Sequence, residues 1–588
     1  LRDAPFHVAH RGAPSVLHDI RQTRQQRWAG FQLDVEPCTL ELNVQLPRQP
    51  RITCRMELHL EQVDAYAFQQ IADQLFLRDA QALHLLSQVV AVKAGRPRVL
   101  RQRTQPRGLV QGPGVVVLLN EALRMTGGLG HGGLEYSGHT RQPQGTTPMP
   151  ATYDLLLRGG TLVLPWGTEQ SDVGVRSGRI AAIGDLRTAG ATQVIDCAQL
   201  HILPGLIDSH VHLREPGDAS VEHIEAGTRG AILGGLTAVF DMPNTAPSIT
   251  DRERLDWKRD HLAGRAWCDM GLYVGATKSN IASLADLELQ PNVCAVKVFA
   301  GSSTGDLLVE DDESLERVMR SGRRRICYHS EDEYRLQARK PNYHAGQPHR
   351  LHADWRDVEC ALLGTRRLMA LARKTGRPAH ILHVSTAEEL EYLKDYRDLA
   401  TVEVLLNHLT QTDEAYDRLG GYAVMNPPIR DERHLRAAWA ALADGTVDTV
   451  GSDHAPHSRA AKERPWPDCA AGLTGVQTLV PLMLDHVSAG RLSLSRLADL
   501  MCAGPARVYG MVGKGRLAAG YDADFTVVDT RRERIIEESW IVSPCGWTPF
   551  AGHRCTGWPV MTILRGEAVM REDELLGTPA GAPVRFMP

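Results

Sequence analysis

The chain has 588 residues, 43% of them hydrophobic and 23% charged, the composition of a globular protein large enough for more than one packed unit. A formal net charge of −4 argues against nucleic acid or a membrane surface as the main partner. No apolar run approaches the ~20 residues of a bilayer span, and eleven cysteines without a CxxC pair argue against a disulfide framework or a cysteine-built zinc site. These features fit a cytoplasmic protein.

Residues 1–150 are rich in Arg, Gln and His and only patchily apolar, and the first fifteen lack the apolar stretch of a secretory signal. They end in GGLGHGGLEYSGHTRQPQGTTPMP, whose Gly, Pro, Thr and Gln mark a linker or disordered segment. The sequence starts at Leu1, and Met149 stands just before the first clear pattern. Residues 1–148 therefore read as an upstream extension that reflects the choice of start site. A genuine binding module there would resist proteolysis in isolation.

From Tyr153 the pattern is regular. YDLLLRGGTLVLP, SDVGVRSGRIAAIGD and TQVIDCAQLHILPG read as strands joined by glycine turns, as do DADFTVVD and VMTILRGEAVM near the other end. These β-rich flanks, residues 151–205 and 512–575, enclose an alternating pattern of strands and helices over 206–511, and a tail follows over 576–588. Within 206–511 come eight runs that begin apolar and end polar: GLIDSHVHLR, LTAVFDMPN, CDMGLYVGAT, VCAVKVFAG, RRICYHSED, AHILHVST, TVEVLLNHLT and DTVGSDHAPH. Helical patterns such as VECALLGTRRLMALARKTG separate most of them. The fold class is α/β, a (β/α)8 barrel with chemistry at the C-terminal ends of its strands.

Those ends carry metal-binding residue types. His210 and His212 are two apart, so on a strand both imidazoles face one side and can meet one metal. His329 ends the fifth run, His383 the sixth and Asp453 the eighth. His380, three before His383, points the other way and reads as structural; Cys327 reads as core. Lys297 stands inside an apolar strand, where a cation is costly. A buried, neutral amine there can react with CO₂, and the resulting carbamate can bridge two cations. Arg214, two beyond His212, is placed on the same strand face and suits a carboxylate through paired hydrogen bonds.

GLIDSHVHLREPG, MPNT, CYHSED, HVST, MNPPIR and SDHAPH occur in this order, followed by SPCGWTPFAGHRCTGWPVMTILRGEAV. Together they closely resemble the dihydroorotases, cyclic amidases of the amidohydrolase superfamily, over residues 150–575. The resemblance implies a small β-sandwich built from both flanks of the barrel and two Zn²⁺ per chain, one held by His210, His212 and Asp453 and the other by His329 and His383. Carboxylated Lys297 and hydroxide would bridge them. It implies Asp453 as catalytic base and then acid, and Asn244, Asn426 and His457 as substrate contacts beside Arg214. Without it, Asn244 and Asn426 read as turn residues beside prolines. The implied reaction is reversible hydrolysis of (S)-dihydroorotate to N-carbamoyl-L-aspartate in pyrimidine biosynthesis, on a small-molecule substrate, by a chain that forms a homodimer in many family members. This chain departs from many relatives at Leu406-Asn407-His408 and at Thr474. Three other readings compete. Allantoinases usually carry Asn at the Arg214 position, and hydantoinases usually lack the REPG and MPNT pair. Non-catalytic relatives that associate with aspartate transcarbamoylase typically lose metal ligands, and this chain has all six.

Overall fold

The computed structural model describes residues 152–303 and 307–588, with the backbone of three short strands further upstream. Leu1–Gln144 and Gly145–Pro588 are separate compact units. In the first, His7–Ala9, Cys38–Val44 and Ile52–Leu58 make an antiparallel sheet in that order. The expectation of a loosely patterned extension over 1–150 otherwise lies outside the described residues.

In the second unit all eight expected barrel strands form, as a parallel sheet in sequence order. They are Leu206–Val211, Leu236–Asp241, Asp269–Gly275, Val293–Phe299, Ile326–His329, Ala379–Ile381, Ala400–Leu405 and Thr449–Gly451. Nearly every residue of these strands is buried, which is why they read as apolar runs without alternation: both faces of a parallel sheet are covered. Helices cover the outside. The longest, Val358–Thr375, is capped by the Asp357 side chain on the Cys360 N–H and ends at Gly376 with φ 72°, where a side chain would strain the backbone. The first and eighth strands meet through a parallel bridge between Val211 and His454. The His212 N–H also donates to the His454 carbonyl at 2.7 Å.

A second sheet of nine strands joins the two flanks. Its central pairing sets His201–Pro204 antiparallel to Phe525–Ile535, so residues on either side of the barrel sequence share one ladder. Leu155, Leu157, Val173, Val175, Phe525 and Ile563 pack in its core. Residues 576–588 run onward to the N-terminal ends of the barrel strands. There the Ala582 carbonyl accepts from Met270 N–H at 3.0 Å, and the Phe586 ring lies 5.4 Å from Phe240.

Each strand stops before its sequence run does, and two show it most plainly. TVEVLLNHLT is strand only to Leu405; Leu406–Thr410 turns into a helix, which brings Leu406 and Leu409, three apart, into the same core. AHILHVST is strand only to Ile381. Among the described residues no helix is long and apolar enough to cross a membrane.

The fold buries several histidines as neutral rings away from the strand-end cluster. Burial pulls His352 and His380 down to about 3 and His486 to about 4. Each takes up a proton near its ordinary pKa only when the chain unfolds, so the native state binds fewer protons below ~6.5. Stability is therefore complete above that pH and falls as pH drops, with a slope of about 1.4 kcal/mol per pH unit for each ring until its folded pKa is reached. The melting temperature should fall from pH 7.5 to pH 5.5; a flat profile over that range would rule this out.

Candidate active site

The strand ends bring the expected residues together. His210 is the penultimate residue of the first strand and His212 the first residue beyond it. Lys297 lies within the fourth strand, and His329 ends the fifth. His383 and Asp453 each follow their strand by two residues. All six are buried. Asp453 Oδ1 lies 3.2 Å from His210 Nε2 and 3.0 Å from His212 Nε2. Beside them His329 Nδ1 lies 3.0 Å from His383 Nε2, and the His210 and His383 rings are 5.4 Å apart.

The outward nitrogens explain how the rings are held. His210 Nδ1 donates to Glu403 Oε1 at 2.7 Å, His212 Nδ1 to Asn244 Oδ1 at 2.8 Å and His329 Nε2 to Glu331 Oε2 at 2.8 Å. Glu331 is itself fixed by Arg356 Nη1 at 2.7 Å, and Arg356 with His329 holds its carboxyl down at about 2 despite burial. Burial drives His210 to about 3 and His212 and His383 well below the ordinary imidazole value. The rings are therefore neutral, and in His210 and His212, where Nδ1 donates outward, Nε2 is a bare lone pair. Two such lone pairs meet one carboxylate oxygen at His210, His212 and Asp453, an arrangement that repels itself unless a cation stands among them. The three donor atoms lie within 4.8 Å of one another, a spacing that suits a single divalent ion. The residues present thus fit a metal centre of nitrogen and oxygen donors.

A pocket opens on this cluster, lined also by Arg214, Asn244, Phe299, Asn426, Ala471 and Gly472. Burial holds the Lys297 amine down to about 8, and its Nζ lies 4.5 Å from the Phe299 ring centre. Arg214 is anchored by its Nε on the Pro456 carbonyl at 3.3 Å, and its Nη2 lies 3.4 Å from His457 Nε2. Among the described residues no carboxylate forms an ion pair with it. Asn426 Oδ1 accepts from His352 Nε2 at 2.9 Å. His457 stands behind Arg214, with Nε2 3.0 Å from the Ala471 carbonyl, and does not line the pocket.

One geometric expectation needs correction. Arg214 does not share a strand face with His212, because the strand ends at Val211 and Arg214 has φ 56°. It reaches the pocket through a left-handed turn. His383 at φ 40° and Asp453 at φ 48° do the same, so three site residues occupy a backbone region that costs side-chain-bearing residues energy. Glu403 and Glu331 went unnoticed in the sequence. For Glu403 a signal exists: a carboxylate inside the apolar run TVEVLL demands a buried partner.

Comparison with known proteins agrees with this geometry. The Amidohydrolase family profile matches residues 201–569. Over 427 residues the chain is 34% identical to a dihydroorotase from Pyrococcus furiosus, covering 72% of this chain and 94% of that protein. An allantoinase from Deinococcus radiodurans is 33% identical over 444 residues, 74% of this chain and 98% of that one. Among solved structures, an L-hydantoinase (dihydropyrimidinase) from Arthrobacter aurescens matches with a TM-score of 0.71 at 27% identity, over 74% of this chain and 100% of that one.

Proposed function

Because the chain belongs to the amidohydrolase family, among relatives that hydrolyse cyclic amides, we propose that it is a dihydroorotase interconverting (S)-dihydroorotate and N-carbamoyl-L-aspartate. Arg214 carries the choice of substrate. Its guanidinium lines the pocket beside the histidine cluster, anchored by a carbonyl and unpaired with any carboxylate among the described residues. Hydantoin, dihydrouracil and allantoin rings bear no carboxylate; dihydroorotate bears one, which a guanidinium can take through two parallel N–H···O bonds.

In this reading His210, His212 and Asp453 would hold one Zn²⁺, and His329 and His383 a second, with carboxylated Lys297 as a further ligand; the metal would supply Lewis acidity and water of lowered pKa. Lys297 suits that part because its buried amine is readily neutral: the nitrogen lone pair adds to the carbon of CO₂ and a proton leaves to solvent. Asp453 takes the proton of the attacking water and delivers it to the ring nitrogen as the C–N bond breaks. For ring closure the same carboxylate takes the ureido proton instead. Arg214, anchored on the Pro456 carbonyl, fixes the ring carboxylate.

The allantoinase reading keeps the metal chemistry and has a relative of similar identity in its favour. The deciding experiment measures turnover of dihydroorotate, allantoin and dihydrouracil by zinc-loaded protein with bicarbonate. Turnover of dihydroorotate alone supports the proposal; turnover of either other ring in its place overturns it. Arg214→Met should lower kcat/KM for dihydroorotate by about 100-fold, the loss of charged hydrogen bonds worth ~2–3 kcal/mol, and leave any residual dihydrouracil turnover unchanged. Equal losses on both substrates would assign Arg214 to the fold instead.

A further inference from the structure

We propose that Lys462 is a positioning residue for substrate binding: its ammonium ties together the two loop segments that carry Asn426 and Gly472 to the pocket. The inference rests on the reading of that pocket as the substrate site.

Lys462 ends the single-turn helix Arg459–Lys462 and is completely buried. Its Nζ donates to the carbonyls of Val424 at 2.9 Å, Ala470 at 2.7 Å and Gly472 at 2.9 Å. An ammonium has three hydrogens, and each has an acceptor. Burying a cation is expensive, and a carboxylate partner is the usual remedy, as two other lysines of this fold show. Lys258 pairs with Asp241, and Lys514 with Asp269 and Asp524. Among the described residues Lys462 has no carboxylate partner. Carbonyl dipoles and the Trp547 ring, 5.6 Å from Nζ, face it instead, and burial holds the amine down to about 7.

Its partners are not scattered. Val424 stands two residues before Asn426, while Ala470 and Gly472 flank Ala471; Asn426, Ala471 and Gly472 all line the pocket. Both segments are irregular, so neither has a helix or a strand ladder to hold its carbonyls. They share a direct bond from Gly472 N–H to the Val424 carbonyl at 2.9 Å, and Lys462 closes the remaining acceptors around it. The fit is close. A side chain at Gly421 would come within 1.9 Å of the Lys462 carbonyl, and one at Gly472 within 2.4 Å of the Ala455 carbonyl. The Ala471 carbonyl, the one between, is taken by His457, which also faces Arg214. One wall of the pocket therefore keeps its shape through a buried cation that touches none of the six strand-end residues. Removing it should loosen how substrate is held while leaving the reacting groups in place.

The test is Lys462→Met in the full, zinc-loaded chain. Metal content should match the parent and kcat should stay within about threefold, while KM rises about tenfold or more for whichever cyclic amide the parent turns over. Unchanged KM in a folded, metal-loaded variant overturns the proposal; so does parallel loss of metal, kcat and KM, the signature of a general structural role. Amide hydrogen exchange of the parent protein decides the case where the variant does not fold. Residues 421–427 and 469–473 should open as one protected unit, and separate exchange of the two segments overturns the proposal. If the parent turns over none of the three rings, the dihydroorotase reading fails, whereas the exchange measurement still decides for or against Lys462.

Discussion

Replacing Asp453 by asparagine is expected to lower kcat by about 10²–10⁴-fold, the range for loss of a proton-transfer group in a transition state. The amide matches the carboxylate in shape and can keep the φ 48° turn, since Asn tolerates the left-handed region well. It cannot accept a proton from water or return one to nitrogen. It is also a weaker donor to a cation than the oxygen that now lies 3.2 Å from His210 Nε2 and 3.0 Å from His212 Nε2. The two losses separate experimentally. Excess zinc should refill the site and restore metal content, as read by elemental analysis, while the rate stays low because the base is missing. A refilled variant with more than about a tenth of parental activity would remove Asp453 from proton transfer, because a group worth so little falls below the lower limit for general-base catalysis.

The barrel was legible for a physical reason. Each of its strands is covered on both faces, so it must be an apolar run, and a parallel barrel gathers its chemistry at the C-terminal ends, so each run must end polar. Eight such runs in order leave few other architectures. The joining of the flanks into one sheet had no local signal: the ladder between His201–Pro204 and Phe525–Ile535 spans the whole barrel sequence, and the resemblance to a family implied it.

The site was legible in its members and not in its orientations. Alternation along a strand predicts direction only while the strand lasts. It fails for Arg214, His383 and Asp453, which all lie in left-handed turns past strand ends. His457, which the resemblance places among the substrate contacts, stands 3.4 Å from Arg214. Asn244, assigned to substrate, accepts the outward proton of His212 while lining the pocket. Lys462 is the clearest omission. In HSRAAKERPW it sits among charged neighbours and reads as a solvated face, and only the tertiary fold sinks it beneath three carbonyls.

Glu403 decides how much the rings depend on what holds them from outside. Its Oε1 accepts from His210 Nδ1 at 2.7 Å and from the backbone N–H of His383 at 3.2 Å, so one oxygen orients a ligand candidate of each half of the cluster. Burial pushes this carboxyl up to about 7, the strain of a charge kept deep in the barrel. Glu403→Leu removes this shared acceptor and leaves two buried N–H groups unsatisfied, each costing about 1–3 kcal/mol. Zinc affinity, measured by competition with a chelator, is expected to fall about 10–100-fold, as when a ring loses the partner that fixes its tautomer. The melting temperature should fall with it. Glu403→Gln retains an acceptor oxygen and discards only the charge. If hydrogen bonding orients His210, the glutamine variant should bind zinc almost as the parent does. If the negative charge raises the basicity of the ring, it should sit nearer the leucine variant. Parental zinc affinity in Glu403→Leu would mean that packing alone sets the ring, and that the carboxylate in the seventh strand has another purpose.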